Sequence, residues 1–357
     1  MTIFHGHGTR SRITVVIMAN KFLKKENISK LIDALTSEGS IFVAPKLAAR
    51  QVVYAPVAKT DEIVFDYIIP RNSFKEFLFP QTEPIAAFTI GKEGVDLKSI
   101  EVSPKETVIF GARPCDAASA ASLRAVFNWD FKDEFYNRRE DKAIVMTVAC
   151  TKADDSCFCT TVNLTPDSPN GSDILLKETK DGDYVVEALT DKGKKIVERF
   201  NNIFTPQPSA LSLQPIADVK PIAGVDTKKI KEWLKDTKHY ENPLWAELAR
   251  KCIGCGACTF ACPTCHCFDI VDEGSAFEGE RIKNWDACQF EFFTLHTSGH
   301  NPRDTQYKRW RNRFMCKFNF YPNKFSSRGC VGCGRCIRVC PVRLDITEVM
   351  EEVSKLP

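Results

Sequence analysis

The chain has 357 residues, 43% hydrophobic and 27% charged, the balance of a soluble globular protein with room for two domains and a sizeable core. A net charge of +3 makes no electrostatic case for nucleic acid, and no apolar run is long enough to suggest a membrane span. Sixteen cysteines in a chain of this length point to metal sites in a reducing, cytoplasmic setting rather than to a disulfide framework.

Residues 1–19 read as an unstructured extension. Arg10 and Arg12 precede a short apolar run ending at Ala19, without a cleavage pattern behind it. Residues 20–202 read as a mixed α/β domain. Asn27 is placed to cap a helix over Ser29–Thr36 that stops at Gly39. Strand-like runs follow at 41–45, 51–57 and 63–69, then a helical stretch carrying Phe74, Phe77 and Leu78. Residues 86–91 and 107–111 again read as strands, the second leading into an Ala-rich helix from Ala117 to Phe127. Strands at 143–149 and 183–189 and a helix at 191–200 complete the domain. Residues 203–226, rich in Pro, Ser and Ala, read as a linker or a draped segment. Residues 227–357 form the second domain.

That domain carries two copies of C-x2-C-x2-C-x3-C-P. One runs from Cys252 through Cys255 and Cys258 to Cys262-Pro263, the other from Cys330 through Cys333 and Cys336 to Cys340-Pro341. This is the run by which bacterial-type ferredoxins hold [4Fe–4S] clusters, the fourth Cys of each run ligating the other cluster. Three thiolates in a tight turn reach three corners of one cubane, and glycines such as Gly254 and Gly332 let backbone amides approach the inorganic sulfurs. Cluster one is therefore assigned to Cys252, Cys255, Cys258 and Cys340, and cluster two to Cys330, Cys333, Cys336 and Cys262. Zinc would leave the third and fourth Cys and the Pro unexplained. The expected fold class is α+β: the α/β domain, then a mainly helical domain on a two-[4Fe–4S] ferredoxin-like core. Residues 267–327 form a long insertion, with helices expected over 286–295 and 306–318.

Eight cysteines remain. Cys115, Cys150, Cys157 and Cys159 sit at strand ends, where open α/β sheets host ligands. They form a candidate third cluster, with buried inert thiols as the alternative. Arg113 and Asp116 flank Cys115, either to tune it or as an ordinary surface ion pair. Cys265, Cys267, Cys288 and Cys316 form a second spare group, read as packing around the clusters or as a further metal site. Between 303 and 324, Arg303, Lys308, Arg309, Arg311, Arg313, Lys317 and Lys324 interleave with Trp310, Phe314, Phe318 and Phe320. This reads as a solvated basic face over buried aromatics, or as a docking face for an acidic partner. His296 and His300 read as structural. No G-x-G-x-x-G follows a strand, and no motif offers a nickel or flavin site.

In order along the chain come Gly111-Ala-Arg-Pro-Cys115-Asp116, Tyr136-Asn-Arg-Arg-Glu140, Cys150, Cys157-Phe-Cys159, the two cluster runs, Cys265-His-Cys267, and Arg281 with Trp285 and Cys288. This set resembles the iron–sulfur beta subunit of cytoplasmic group-three [NiFe] hydrogenases (sulfhydrogenases), which is related to the corresponding iron–sulfur component of anaerobic sulfite reductase. Cys316 falls outside the resemblance. The resemblance implies a non-catalytic electron carrier paired with a flavin (FAD) subunit that handles NAD(P)H and with a catalytic hydrogenase or sulfur/sulfite reductase partner. The opposing reading is an enzyme reducing a sulfur compound at a cluster in the first domain.

Overall fold

The centre of the molecule is built from its least alternating apolar runs. Thr107–Ala112 and Ala143–Val148 are buried along nearly their whole length and pair in parallel, as strands covered on both faces do. The computed structural model describes residues 21–357, so the extension expected at 1–19 lies outside the described residues. The strands are β1 Lys21–Leu23, β2 Ile41–Ala48, β3 Gln51–Pro56, β4 Thr82–Gly91, β5 Gly94–Ser99, β6 Thr107–Ala112, β7 Ala143–Val148, β8 Ile174–Glu178, β9 Tyr184–Ala188, β10 Phe204–Pro206, β11 Phe268–Gly274 and β12 Glu278–Trp285. The helices are α1 Ile28–Ser37, α2 Pro114–Phe127, α3 Glu134–Lys142, α4 Asp191–Arg199, α5 Thr227–Lys235, α6 Leu244–Leu248, α7 Ala257–Phe260, α8 Gln306–Met315, α9 Tyr321–Lys324, α10 Arg335–Arg338 and α11 Ile346–Ser354.

Eight strands form one sheet in the order β10-β1-β9-β8-β7-β6-β2-β3. β2, β6, β7 and β8 are parallel and the flanking pairs antiparallel. On one face α1 and α4 bury Leu31, Leu35 and Ile196 against Phe42, Phe110 and Met146. On the other, Leu123 and Phe127 of α2 pack with Phe74, Phe79 and Tyr136. Pro114 opens α2 at a position where its missing N–H costs nothing. The carboxyl ends of β6 and β7 lead directly to Cys115 and Cys150.

Residues 63–69 do not continue as the expected strand. Ile63 bridges Lys46, but the carbonyls of Tyr67 and Ile68 then accept from the Arg113 guanidinium. A side chain thus takes the acceptors that a sheet ladder would need. After β10, residues 207–226 run over the first half of the chain. Leu213 bridges Thr179, Ala217 N donates to Cys150 O at 2.8 Å, and Ile222 N donates to Thr161 Oγ1 at 3.0 Å.

The later residues are less helical than expected. β11 and β12 form a hairpin, and β12 pairs with β4, giving a second sheet ordered β11-β12-β4-β5. Residues 286–295 form a loop with one short turn of 3₁₀ helix at Phe292–Thr294. Their polar side chains serve tertiary partners instead: Gln289 Nε2 donates to Arg309 O at 3.1 Å. The second expected helix is present as α8, which passes at Cys316–Phe320 into a π-helical turn. Trp233, Trp245, Trp310, Phe314 and Met350 form a separate core here, joined by Phe158 and Val162 from the first half.

Candidate functional site

Each cluster run folds as an irregular loop entering a one-turn helix, α7 or α10. Gly254, Gly256, Gly332 and Gly334 have φ of 70°, 72°, 63° and 69°, a left-handed backbone that glycine adopts without steric cost. In the second run the glycines also make room. A Cβ on Gly332 would lie 2.5 Å from the Cys159 backbone, and one on Gly334 would lie 2.1 Å from Ser156 O. The loop carrying Cys157 and Cys159 is therefore laid directly on the second run, with Phe158 N donating to Gly332 O at 2.9 Å.

The cysteines gather around gaps. One cavity is lined by Cys252, Cys255 and Cys258 together with Cys340 from the distant run. Gln306 Nε2 donates to Cys252 Sγ at 3.2 Å and Leu344 N to Cys340 Sγ at 3.2 Å. Cys262 leaves the first run and lies by the second. Burial pushes the Cys330 thiol up to about 11 and Cys333 to about 12, and the charge of Cys262 adds to both shifts. A second cavity is lined by all four of Cys115, Cys150, Cys157 and Cys159, with Gly332 and Cys333 in its wall. Burial raises Cys115 and Cys150 and lifts Cys159 to about 11. The spare set Cys265, Cys267, Cys288 and Cys316 lines a third cavity. Among the described residues no three His, Cys, Asp or Glu side chains converge as ligands of a single metal ion. Thiols spaced around gaps fit a cluster better than one ion.

The electrostatics of these walls favour such a group. Arg309, Arg311, Arg313 and Lys317 are buried, so the basic stretch is not the solvated or docking face expected from its pattern. Buried cations are costly unless an anion faces them. Lys317 Nζ lies 3.1 Å from Cys262 Sγ, and Arg313 Nη2 donates to Cys258 O at 3.2 Å. Burial alone would depress the Lys317 ammonium, but the facing Cys262 and Cys265 hold it well above its ordinary value. Arg309 Nε and Arg313 Nε are buried without a hydrogen-bond partner. Thiolates bound to an iron–sulfur core would supply the missing negative charge.

Arg113 and Asp116 are not the surface pair considered above. Arg113 is held by backbone carbonyls, donating from Nε to Ile68 O at 2.9 Å. Asp116 is fully buried and takes a two-pronged bond from Arg335, at 2.5 and 2.6 Å. Arg335 lies inside the second cluster run, so this pair links the two cysteine systems. Arg338 Nη2 lies 3.3 Å from Cys157 Sγ. Sequence reasoning missed Arg338, Lys317 and Gln306 as partners of the thiols, and Arg335 as the partner of Asp116. The available signal was position: Arg335 stands where the first run has Ala257, and Lys317 follows a spare cysteine.

The geometry defines a mixed α/β iron–sulfur protein with paired cluster loops. The family model described as 4Fe-4S dicluster domain matches residues 251–344. Subunit beta of sulfhydrogenase 2 from Pyrococcus furiosus is 31% identical over 316 residues, covering 85% of this chain and 89% of that one. The chain belongs to the family of sulfhydrogenase beta subunits. No solved structure matches it.

Proposed function

We propose that the chain is the electron-transfer subunit of a multi-subunit oxidoreductase, carrying [4Fe–4S] clusters at two ferredoxin-type sites and one N-terminal site. The ligands are Cys252, Cys255, Cys258 and Cys340 for the first, Cys330, Cys333, Cys336 and Cys262 for the second, and Cys115, Cys150, Cys157 and Cys159 for the third. The observation that carries this reading is the exchange of fourth cysteines, with Cys340 lining the cavity of the first run. Bound clusters would each supply a one-electron centre. The chain's own residues hold and insulate them: thiolates ligate, Gly backbones admit amide donors, and Lys317, Arg313 and Arg335 balance charge away from water. Cys333 lines the N-terminal cavity and Cys336 the cavity of the first run, which supports a second site lying between its neighbours, as a relay requires.

A family relative is by name one subunit of a sulfhydrogenase. The partners proposed are accordingly a flavin subunit exchanging electrons with NAD(P)H and a catalytic hydrogenase or sulfur-reducing subunit, in a reducing cytoplasmic compartment. No described helix is long and apolar enough to cross a membrane. Anaerobically purified protein is expected to hold about twelve iron at these three sites, with about four lost in Cys157→Ala. Cys340→Ala should disturb the signal of the first site and spare the second. An unchanged electron paramagnetic resonance spectrum in Cys340→Ala would refute the ligand exchange, and reduction of a sulfur substrate by the isolated chain with an artificial donor would refute the carrier role.

A further inference from the structure

We propose a fourth [4Fe–4S] site, held by Cys265, Cys267, Cys288 and Cys316. The proposal goes beyond the three-site reading above and does not depend on the N-terminal one. The four thiols come from three separate parts of the chain: the loop after Cys262, the loop after β12, and the junction of α8 with the π-helical turn. They meet around one cavity of about 360 Å³. Four thiols on one cavity are the ligand set that a cubane takes.

The walls carry the complementary charge. Arg303, Arg313 and Lys317 line the cavity, and no carboxylate does. Arg313 is 4% exposed, and its Nε, like Nη1 of Arg303, is buried without a hydrogen-bond partner. Lys317 Nζ lies 3.7 Å from Cys265 Sγ. The buried Lys75 donates to Cys265 O at 2.9 Å. Cationic groups left without enough anion, around thiols, describe a site whose occupant is negative overall. A cubane with four thiolate ligands is such an occupant. The π-helical turn supports the same conclusion. It starts at Cys316, and such turns inside α-helices are frequent at functional sites. Arg313, Cys316, Lys317 and Phe320 all reach the cavity from this one stretch.

Loading is a ligand exchange. A preformed cubane is delivered on the thiolates of a carrier: each iron gives up its carrier thiolate and bonds one cysteine sulfur, and the proton lost by the cysteine goes to the departing thiolate, with no change of oxidation state. Lys317 Nζ lies 3.1 Å from Cys262 Sγ and 3.7 Å from Cys265 Sγ, so the fourth site would adjoin the second. Arg313 lines both this cavity and that of the first run. The second site then becomes a branch point.

The test is iron and acid-labile sulfide per chain, with electron paramagnetic resonance of the reduced and oxidised protein, on parent, Cys316→Ala, Cys288→Ala and Cys157→Ala. Cys316→Ala is expected to lose about four iron, or about one with a new three-iron signal. Cys157→Ala reads the N-terminal site separately, so the two proposals fail independently. Iron, sulfide and spectra of soluble Cys316→Ala equal to the parent's would overturn the fourth site. Cys288 is more deeply buried than Cys316, so Cys316→Ala decides the matter if Cys288→Ala does not fold.

Discussion

Asp116 shows how much one residue holds together here. Its carboxylate accepts two bonds from Arg335, and Tyr54 donates a third at 3.0 Å. Asp116→Ala leaves Arg335, 1% exposed, without its anion, and an orphaned buried charge costs about 3–5 kcal/mol. Chemical denaturation should show a loss of that size. Asp154→Ala, which breaks the more exposed pair with Arg338, should cost about 1 kcal/mol or less. Lys317→Met tests a different role. A cation beside Cys262 favours the more negative, reduced form of the cluster, so its removal should lower the midpoint potential of the second site. The expected fall is roughly 60 mV or more, one tenfold change in a one-electron equilibrium, and an unchanged potential would deny the cation this effect. Gly332→Ala combines a left-handed backbone with a clash against Cys159. It should cost about 1–3 kcal/mol and lower the iron content.

At the scale of elements, the β11–β12 hairpin decides how the two halves of the chain meet. Trp285 at its end donates from Nε1 to Phe79 O at 3.1 Å and packs on Phe79 and Phe260. Trp285→Ala should destabilise the protein by about 3 kcal/mol, read as a lowered denaturation midpoint. This hairpin was not legible in advance. Phe268-Asp-Ile-Val alternates weakly, and β4, which pairs with β12, lies far away in sequence, so the pairing is a tertiary fact. The Asp286–Leu295 stretch read as helix because it lacks Pro and Gly, yet Gln289 and Cys288 turn inward to the thiol system. α8 was legible as a helix but not in its setting. Residues from Arg309 to Met315 are buried all round, and periodicity cannot tell a solvated basic stripe from one that faces buried thiols. The two cluster runs and the grouping of the eight spare cysteines into two sets of four could be read directly, because spacing and strand ends encode them locally. The residues that balance their charge could not, because each acts from another segment.

For the molecule as a whole, structure and metal are coupled unequally. The eight-stranded sheet has an apolar core with no thiol in it, whereas the core of the later residues has Cys252, Cys330 and Cys336 packed against it. Removing iron with a chelator under reducing conditions should leave hydrogen-exchange protection in β6 and β7 while residues 250–345 lose theirs, since metal binding there is also folding free energy. Equal loss in both regions would show a single cooperative unit instead. The position of Cys340 has a further consequence for biogenesis. The first run leaves the ribosome with three thiols on its own cavity, Cys252, Cys255 and Cys258, and Cys340 is made only after the hairpin, α8 and the rest of the second run have followed. A nascent chain therefore passes through a stage with an open, oxygen-sensitive triad of thiols. With the ligand exchange proposed above, that site closes only once Cys340 has emerged, so metal loading comes late in manufacture and any truncation before Cys330 removes ligands from both proposed ferredoxin-type sites.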